Sequence, residues 1–105
     1  MPESLQEFKA ALFRVLAHEV RIRVLEELRD GERSVGDLQE RLGISGPNVS
    51  QHLATLRHFG IVTARRDGTS SFYSTTDPRV YHLLDDARAI FEHQIASGAA
   101  LLSDE

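Results

Sequence analysis

The 105-residue chain contains no cysteine, which excludes disulfides, thiolate metal sites and thiol-based redox sensing outright. Any metal has to be held by histidine and carboxylate. No apolar run approaches the roughly 20 residues needed to span a bilayer. The N-terminal MPESLQEFK lacks the charged-then-apolar order of a secretory signal, so the expected location is the cytoplasm. Glycine-rich phosphate loops, Ser/His/Asp constellations and cofactor fingerprints are missing too, and an enzyme is not expected. With no internal repeat, low-complexity tract or linker, and 41% hydrophobic residues, the chain reads as one domain spanning residues 1–105.

Positive charge is also in short supply, the net being -4. Its distribution matters more than its sum. Residues 1–44 carry 9 acids against 7 bases, residues 45–75 carry Asp67 against Arg57, Arg65 and Arg66, and residues 76–105 carry 6 acids against 2 bases. The middle segment alone is positive. Local field rather than total charge governs docking on phosphates, so an acidic protein can still present one surface to nucleic acid.

What is present is a run of helical patterns. Leu5, Phe8, Leu12, Val15 and Leu16 follow helical spacing from Ser4 to about Ala17, with Ser4 as N-cap and Glu7 completing a capping box. A second pattern, Val20, Ile22, Val24, Leu25 and Leu28, stops at Asp30-Gly31. Ser34, with Asp37 three positions on, caps a short helix whose buried edge is Val35, Leu38 and Leu42 and whose stop is Gly43. Ser45 caps a fourth helix from Gly46 to about Phe59, with Pro47 tolerated in its first turn. Val49, Leu53 and Leu56 form its inward stripe, which leaves Asn48, Gln51, Thr55 and His58 on the opposite face, with Pro47 and Ser50 near the leading end. After Gly60, IVTARRDGTSSFYS reads as two strands joined at Asp67-Gly68, a dipeptide that favours tight hairpins. Asp77-Pro78 opens a last helix carrying Val80, Leu83, Leu84, Ala87, Ile90, Phe91 and Ile95. That is more apolar surface than one small core needs, so part of it is expected to meet a second subunit. From Ser97 the sequence reads as a frayed tail.

The fold expected from this order is mainly α with a small β-hairpin, a winged helix-turn-helix of four helices, a hairpin and a fifth helix. The reading unit spans about 34–75 and the dimerisation helices about 4–17 and 78–96. A basic hairpin beside a short polar-faced helix suits double-stranded DNA. Gln51 can pair bidentately with adenine, and Ser50 can serve base or phosphate. Arg65 and Arg66 suit phosphate or minor-groove contact. Adjacent strand residues point to opposite faces, so one of the two arginines is expected to reach DNA. The competing reading of each is a solvated polar surface, and Arg57 is the weaker of the basic candidates. His18 is expected to cap or pair locally, and His52 to pack and hydrogen-bond.

The segments LAHEVRIRVLEEL, SVGDLQERLGISGPNVSQHLATLRHFGIV and a wing ending in FYS before an Asp-initiated helix resemble the ArsR/SmtB family of bacterial dimeric transcriptional regulators. The resemblance covers about residues 5–95. It implies a homodimer built by the first and last helices, with the two fourth helices entering successive major grooves of an imperfect palindrome. Half-sites one helical turn apart lie about 34 Å from each other. By the same resemblance, Gly46, Pro47, Ser50 and Gln51 face base edges or nearby phosphates.

The family's inducer sites fit this chain poorly. Where many relatives place thiolates on the third helix, this chain has Ser34 to Asp37, SVGD, which argues against soft-metal sensing. Registered on FYS, the family's last-helix zinc positions fall at Asp77, Arg79, Ile90 and His93, of which only Asp77 and His93 have ligand chemistry. A shifted set remains: His82, Asp85 and Asp86 share a helix face, with Glu92 and His93 near the other end. His82, Asp86 and His93 are the leading ligand candidates and Asp77, Asp85 and Glu92 the further ones, with Ni2+ or Zn2+ as the ions to try. The alternatives are solvated surface charges, a regulator controlled by a partner protein rather than a metal, or a winged-helix module that serves only protein assembly.

Overall fold

The computed structural model describes residues 3–98. Its elements are α1 (Leu5–Leu16), α2 (Glu19–Glu27), β1 (Arg33–Ser34), α3 (Val35–Leu42), α4 (Gly46–His58), β2 (Val62–Asp67), β3 (Ser70–Thr75) and α5 (Val80–Ala96). The frayed tail expected from Ser97 falls mostly outside the described residues.

The starts of α1 to α4 each follow from a side chain that satisfies an otherwise orphaned N–H. Ser4 Oγ accepts from Glu7 N at 3.1 Å, Ser34 Oγ from Asp37 N at 3.1 Å and Ser45 Oγ from Asn48 N at 3.3 Å. The capping box at Ser4 is offset by one residue, because the Glu7 carboxylate accepts from Glu3 N at 2.8 Å rather than from the cap residue itself. His18 caps α2, its Nδ1 accepting from Val20 N at 3.1 Å. Gly43, at φ 69, closes α3 in the left-handed region, where a Cβ would be strained.

The core lies between α2, α3, α4 and the first strand of the hairpin. Val24, Leu25, Leu38, Val49, Leu53, Leu56 and Val62 are all essentially inaccessible, so α2, α3, α4 and the root of β2 pack around one centre. Two arginines reinforce the joint. Arg33 donates to Glu27 O at 2.6 Å and pairs with Asp37 at 2.9 Å, while Arg23 donates to Leu42 O at 3.1 Å, satisfying a carbonyl at the end of α3.

Three features depart from the sequence expectation. The hairpin is one side of a three-stranded antiparallel sheet in the order β1-β3-β2, with Ser34 opposite Phe72 and Arg33 opposite Tyr73. A two-residue strand carries no periodicity to read. The turn is displaced by one residue: Asp67 pairs with Ser70, leaving Gly68 and Thr69 as the loop, with Gly68 at φ 65. A glycine in the first loop position fits a II′ turn. Finally, α5 begins at Val80 rather than at Asp77-Pro78, since Asp77 Oδ1 accepts from Arg79 N at 2.9 Å and holds a turn before the helix.

Helix α5 is fixed at one end only. In α5 only Val80 and Tyr81 are buried. Tyr81 is the anchor: its hydroxyl donates to Leu25 O at 2.7 Å and lies 2.6 Å from Thr75 Oγ1, and the Arg29 guanidinium covers its ring at 4.6 Å. Beyond it Ile90 is 59%, Phe91 44% and Ile95 53% exposed, and on α1 Leu5 is 60% and Phe13 55% exposed. Ile22, assigned to the apolar stripe of α2, is exposed as well.

Candidate nucleic-acid interface

Helix α4 presents two unlike sides because its apolar residues recur at i, i+4 and i+7. Val49, Leu53 and Leu56 face the core, and Pro47, Asn48, Ser50, Gln51, Arg57 and His58 are exposed. The side chains of Ser50 and Gln51 form no hydrogen bond among the described residues. Two of the sequence-selected positions have other duties. Gly46 is half-buried where α3 meets α4, and a Cβ there would come within 2.9 Å of Gln39 Oε1. Thr55 is also half-buried and donates its hydroxyl to Gln51 O at 3.3 Å.

The back of α4 is fixed by an imidazole pair. His52 is buried, its ring centroid lies 4.2 Å from that of His18, and its Nδ1 accepts from Arg21 Nε at 3.3 Å. Arg21 also donates to Val15 O at 3.0 Å. The end of α1, the start of α2 and the middle of α4 thus meet at one polar joint. Burial, then the neighbouring His18 and Arg21, hold the His52 imidazole below its ordinary value and keep it neutral.

The two wing arginines differ as strand alternation requires. Arg65 lies directly opposite Phe72, with its guanidinium 5.0 Å from that ring's centroid, and reaches across the sheet to Glu32, its Nε donating to the carboxylate at 3.1 Å. This bond lowers the Glu32 carboxyl and raises the Arg65 guanidinium. Arg66, on the other face, is exposed and forms no ion pair among the described residues. The Glu32 brace was not legible in sequence, since it depends on β1 lying beside β3.

The ligand candidates on and around α5 are dispersed. Asp77 is clasped by Arg79, with contacts of 2.7 to 3.1 Å. The Arg79 side chain and then its backbone N–H lower the Asp77 carboxyl to about 2. Asp85 pairs with Arg29, just past the end of α2, at 2.8 Å, and Glu92 pairs with Arg88 at 3.0 Å. These three carboxylates are engaged by cations, a partnership that spacing along one helix could not reveal. His82, Asp86 and His93 remain exposed without ion pairs among the described residues. No three metal-binding side chains gather there. His82 and His93 are eleven residues apart, about 16 Å along a helix, so one α5 cannot close a site with both.

A helix-turn-helix with an exposed polar reading helix, flanked by a basic wing, defines a DNA-binding protein. Residues 18–64 match the family described as bacterial regulatory protein, arsR family. Over 103 residues the chain is 42% identical to the uncharacterized HTH-type transcriptional regulator Rv0081 of Mycobacterium tuberculosis, covering 97% of this chain and 90% of that one. The crystal structure of Rv0081 superposes with a TM-score of 0.80 at 41% identity, covering 91% of this chain and 97% of that chain. The biofilm growth-associated repressor of Xylella fastidiosa is 39% identical over 78% of this chain and 72% of its own length. The homodimeric winged helix-turn-helix domain Mb0332 of Mycobacterium bovis, solved in solution, matches with a TM-score of 0.77 at 27% identity, over 87% of this chain and 84% of that one. The chain belongs to the ArsR family of DNA-binding transcriptional regulators. Its relatives are regulators, not enzymes.

Proposed function

We propose that the protein acts as a homodimer on a palindromic operator, with α4 of each protomer in a major groove and Arg66 of each wing on the flanking backbone. One observation carries this reading. Residues 45–66 contain no acid, and they place Asn48, Ser50, Gln51, Arg57 and Arg66 on exposed surface while Val49, Leu53 and Leu56 hold the helix from behind. Gln51 and Ser50 are assigned the base edges, Pro47 and Asn48 the adjacent backbone, and Thr55 and Gly46 the shape of the reading helix. Residues 34–75 form the reading unit, and the exposed apolar residues of α1 and α5 supply the pairing surface. DNA as partner supports a cytoplasmic location. Selection from a random duplex library tests the reading. The expected result is a two-fold-symmetric sequence bound with steep salt dependence; a protein that prefers no duplex and only assembles with other proteins overturns it.

A second reading adds gating by Ni2+ or Zn2+. It is favoured by one observation, that the three unpaired candidates, His82, Asp86 and His93, fall on a single face of α5, at i, i+4 and i+11. Imidazole with carboxylate suits these ions, and an antiparallel α5 pair would bring His93 of one protomer toward His82 and Asp86 of the other. Calorimetry with each ion, with and without operator, checks it: affinity lost in the His82→Ala/His93→Ala variant supports gating. Equal operator affinity in all cases points instead to control by a partner protein.

A further inference from the structure

A half-open cavity of about 490 Å³ lies between α1, the end of α4 and the start of α5. That volume lies within the range of small-molecule sites. Its walls are Phe8, Leu12, Phe59, Ile61, Val80 and Leu83, and its mouth is the Asp77–Arg79 pair. Apolar walls with polar groups confined to one point are the usual make-up of a ligand pocket. Phe8 and Phe59 are in contact, ring centroids 5.6 Å apart, and form one side.

The cavity lies mostly apart from the exposed apolar residues of α1 and α5. The exposed large apolar residues of α1 and α5 are Leu5, Phe8, Phe13, Ile90, Phe91 and Ile95, and of these Phe8 alone lines it. On α5 the cavity uses Val80 and Leu83, whereas the exposed face starts at Ile90, seven residues or about 10 Å further along the helix. Only Phe8 belongs to both surfaces.

The mouth sets the chemistry of the occupant. Arg79 uses Nε and Nη2 on Asp77, while its Nη1 has no partner among the described residues and the side chain is 80% exposed. A spare guanidinium donor at the rim of an apolar cavity suits an acceptor head, and a carboxylate gains most from it. The floor sets the consequence. Phe59, Gly60 and Ile61 are the joint through which α4 passes into β2: Ile61 N donates to Leu56 O at 2.9 Å and Thr76 N to Ile61 O at 2.9 Å. A molecule seated there touches the end of the reading helix and the roots of both end helices at once.

The geometry points to an effector site for a small amphipathic carboxylate, its apolar body between Phe8, Phe59 and Leu83 and its head on Arg79, whose occupation weakens operator binding. The regulatory half rests on the DNA reading given above; the binding half does not. The experiment therefore has two parts, both on the full chain as a dimer. In the first, without DNA, 1-anilinonaphthalene-8-sulfonate is titrated and displaced by decanoate, with decanol as the arm lacking an anionic head. Saturable uptake of one dye per protomer is expected. Leu83→Trp, which fills the cavity, is expected to abolish it, and Arg79→Ala to weaken decanoate by about tenfold while leaving decanol unchanged. In the second part, decanoate at saturation is expected to lower operator affinity about fivefold or more in the wild type and not in Leu83→Trp. Absence of saturable uptake, uptake that survives in Leu83→Trp, or operator affinity indifferent to saturating decanoate overturns the proposal. A protein that finds no operator even without decanoate fails the DNA reading and leaves the first part to be judged by itself.

Discussion

At the scale of single residues, the polar groups behind the reading helix decide how it is held. His52 is neutral, buried against α2, and accepts from Arg21. Its folded value lies below the ordinary 6.5, so the unfolded chain binds the proton more readily. Stability from this group is complete above about pH 6.5 and is lost as pH falls through that value toward the lower folded one. Urea midpoints measured from pH 7.5 to 5 should fall, and His52→Gln should flatten that fall; an unchanged slope in the variant would remove His52 from the account. Tyr81→Phe should cost about 1–2 kcal/mol, because Leu25 O loses a buried donor. Thermal unfolding checks this. On the wing, the Glu32 brace on Arg65 separates two adjacent arginines. Arg66→Ala should lower the salt slope of operator binding by about one, and Arg65→Ala by less. Equal effects would mean that the brace opens on DNA.

At the scale of elements, sequence reading succeeds where a single side chain or a short period determines the outcome. The serine caps of α1, α3 and α4 and the inward triplet Val49, Leu53 and Leu56 lie where spacing puts them. Leu53→Ala should cost about 2–5 kcal/mol for the same reason, since nothing nearby can collapse into its place without moving α2 or α3. The reading fails where the decisive partner is far along the chain. Strand β1 exists because Arg33 and Ser34 reach β3 about forty residues later, and two residues carry no pattern of their own. Asp85 looked like part of a ligand face on α5, but Arg29, just past α2, pairs with it. Asp77 was expected to open α5 and instead turns back on Arg79. The polar face of α4 was legible; the division of labour between Arg65 and Arg66 was not, because it depends on where Glu32 is carried.

At the scale of the whole molecule, one protomer leaves its two end helices half-used. The exposed stripe of Leu5, Phe13, Ile90, Phe91 and Ile95 is the kind of surface that marks association. Two short reading helices linked by that surface would double the base contacts available to one. Phe91→Glu should therefore give monomers in sedimentation, and Tm should lose its dependence on protein concentration. A variant that stays dimeric would place the interface elsewhere.

The central claim is that the exposed face of α4 reads DNA. The measurement that tests it most directly is titration of one selected duplex, and of a scrambled one, with the wild type and with Gln51→Ala. The account predicts two protomers per selected duplex and a loss of about 1–3 kcal/mol per reading helix in the variant, confined to the selected sequence. An equal loss on both duplexes, or no loss on either, would contradict it.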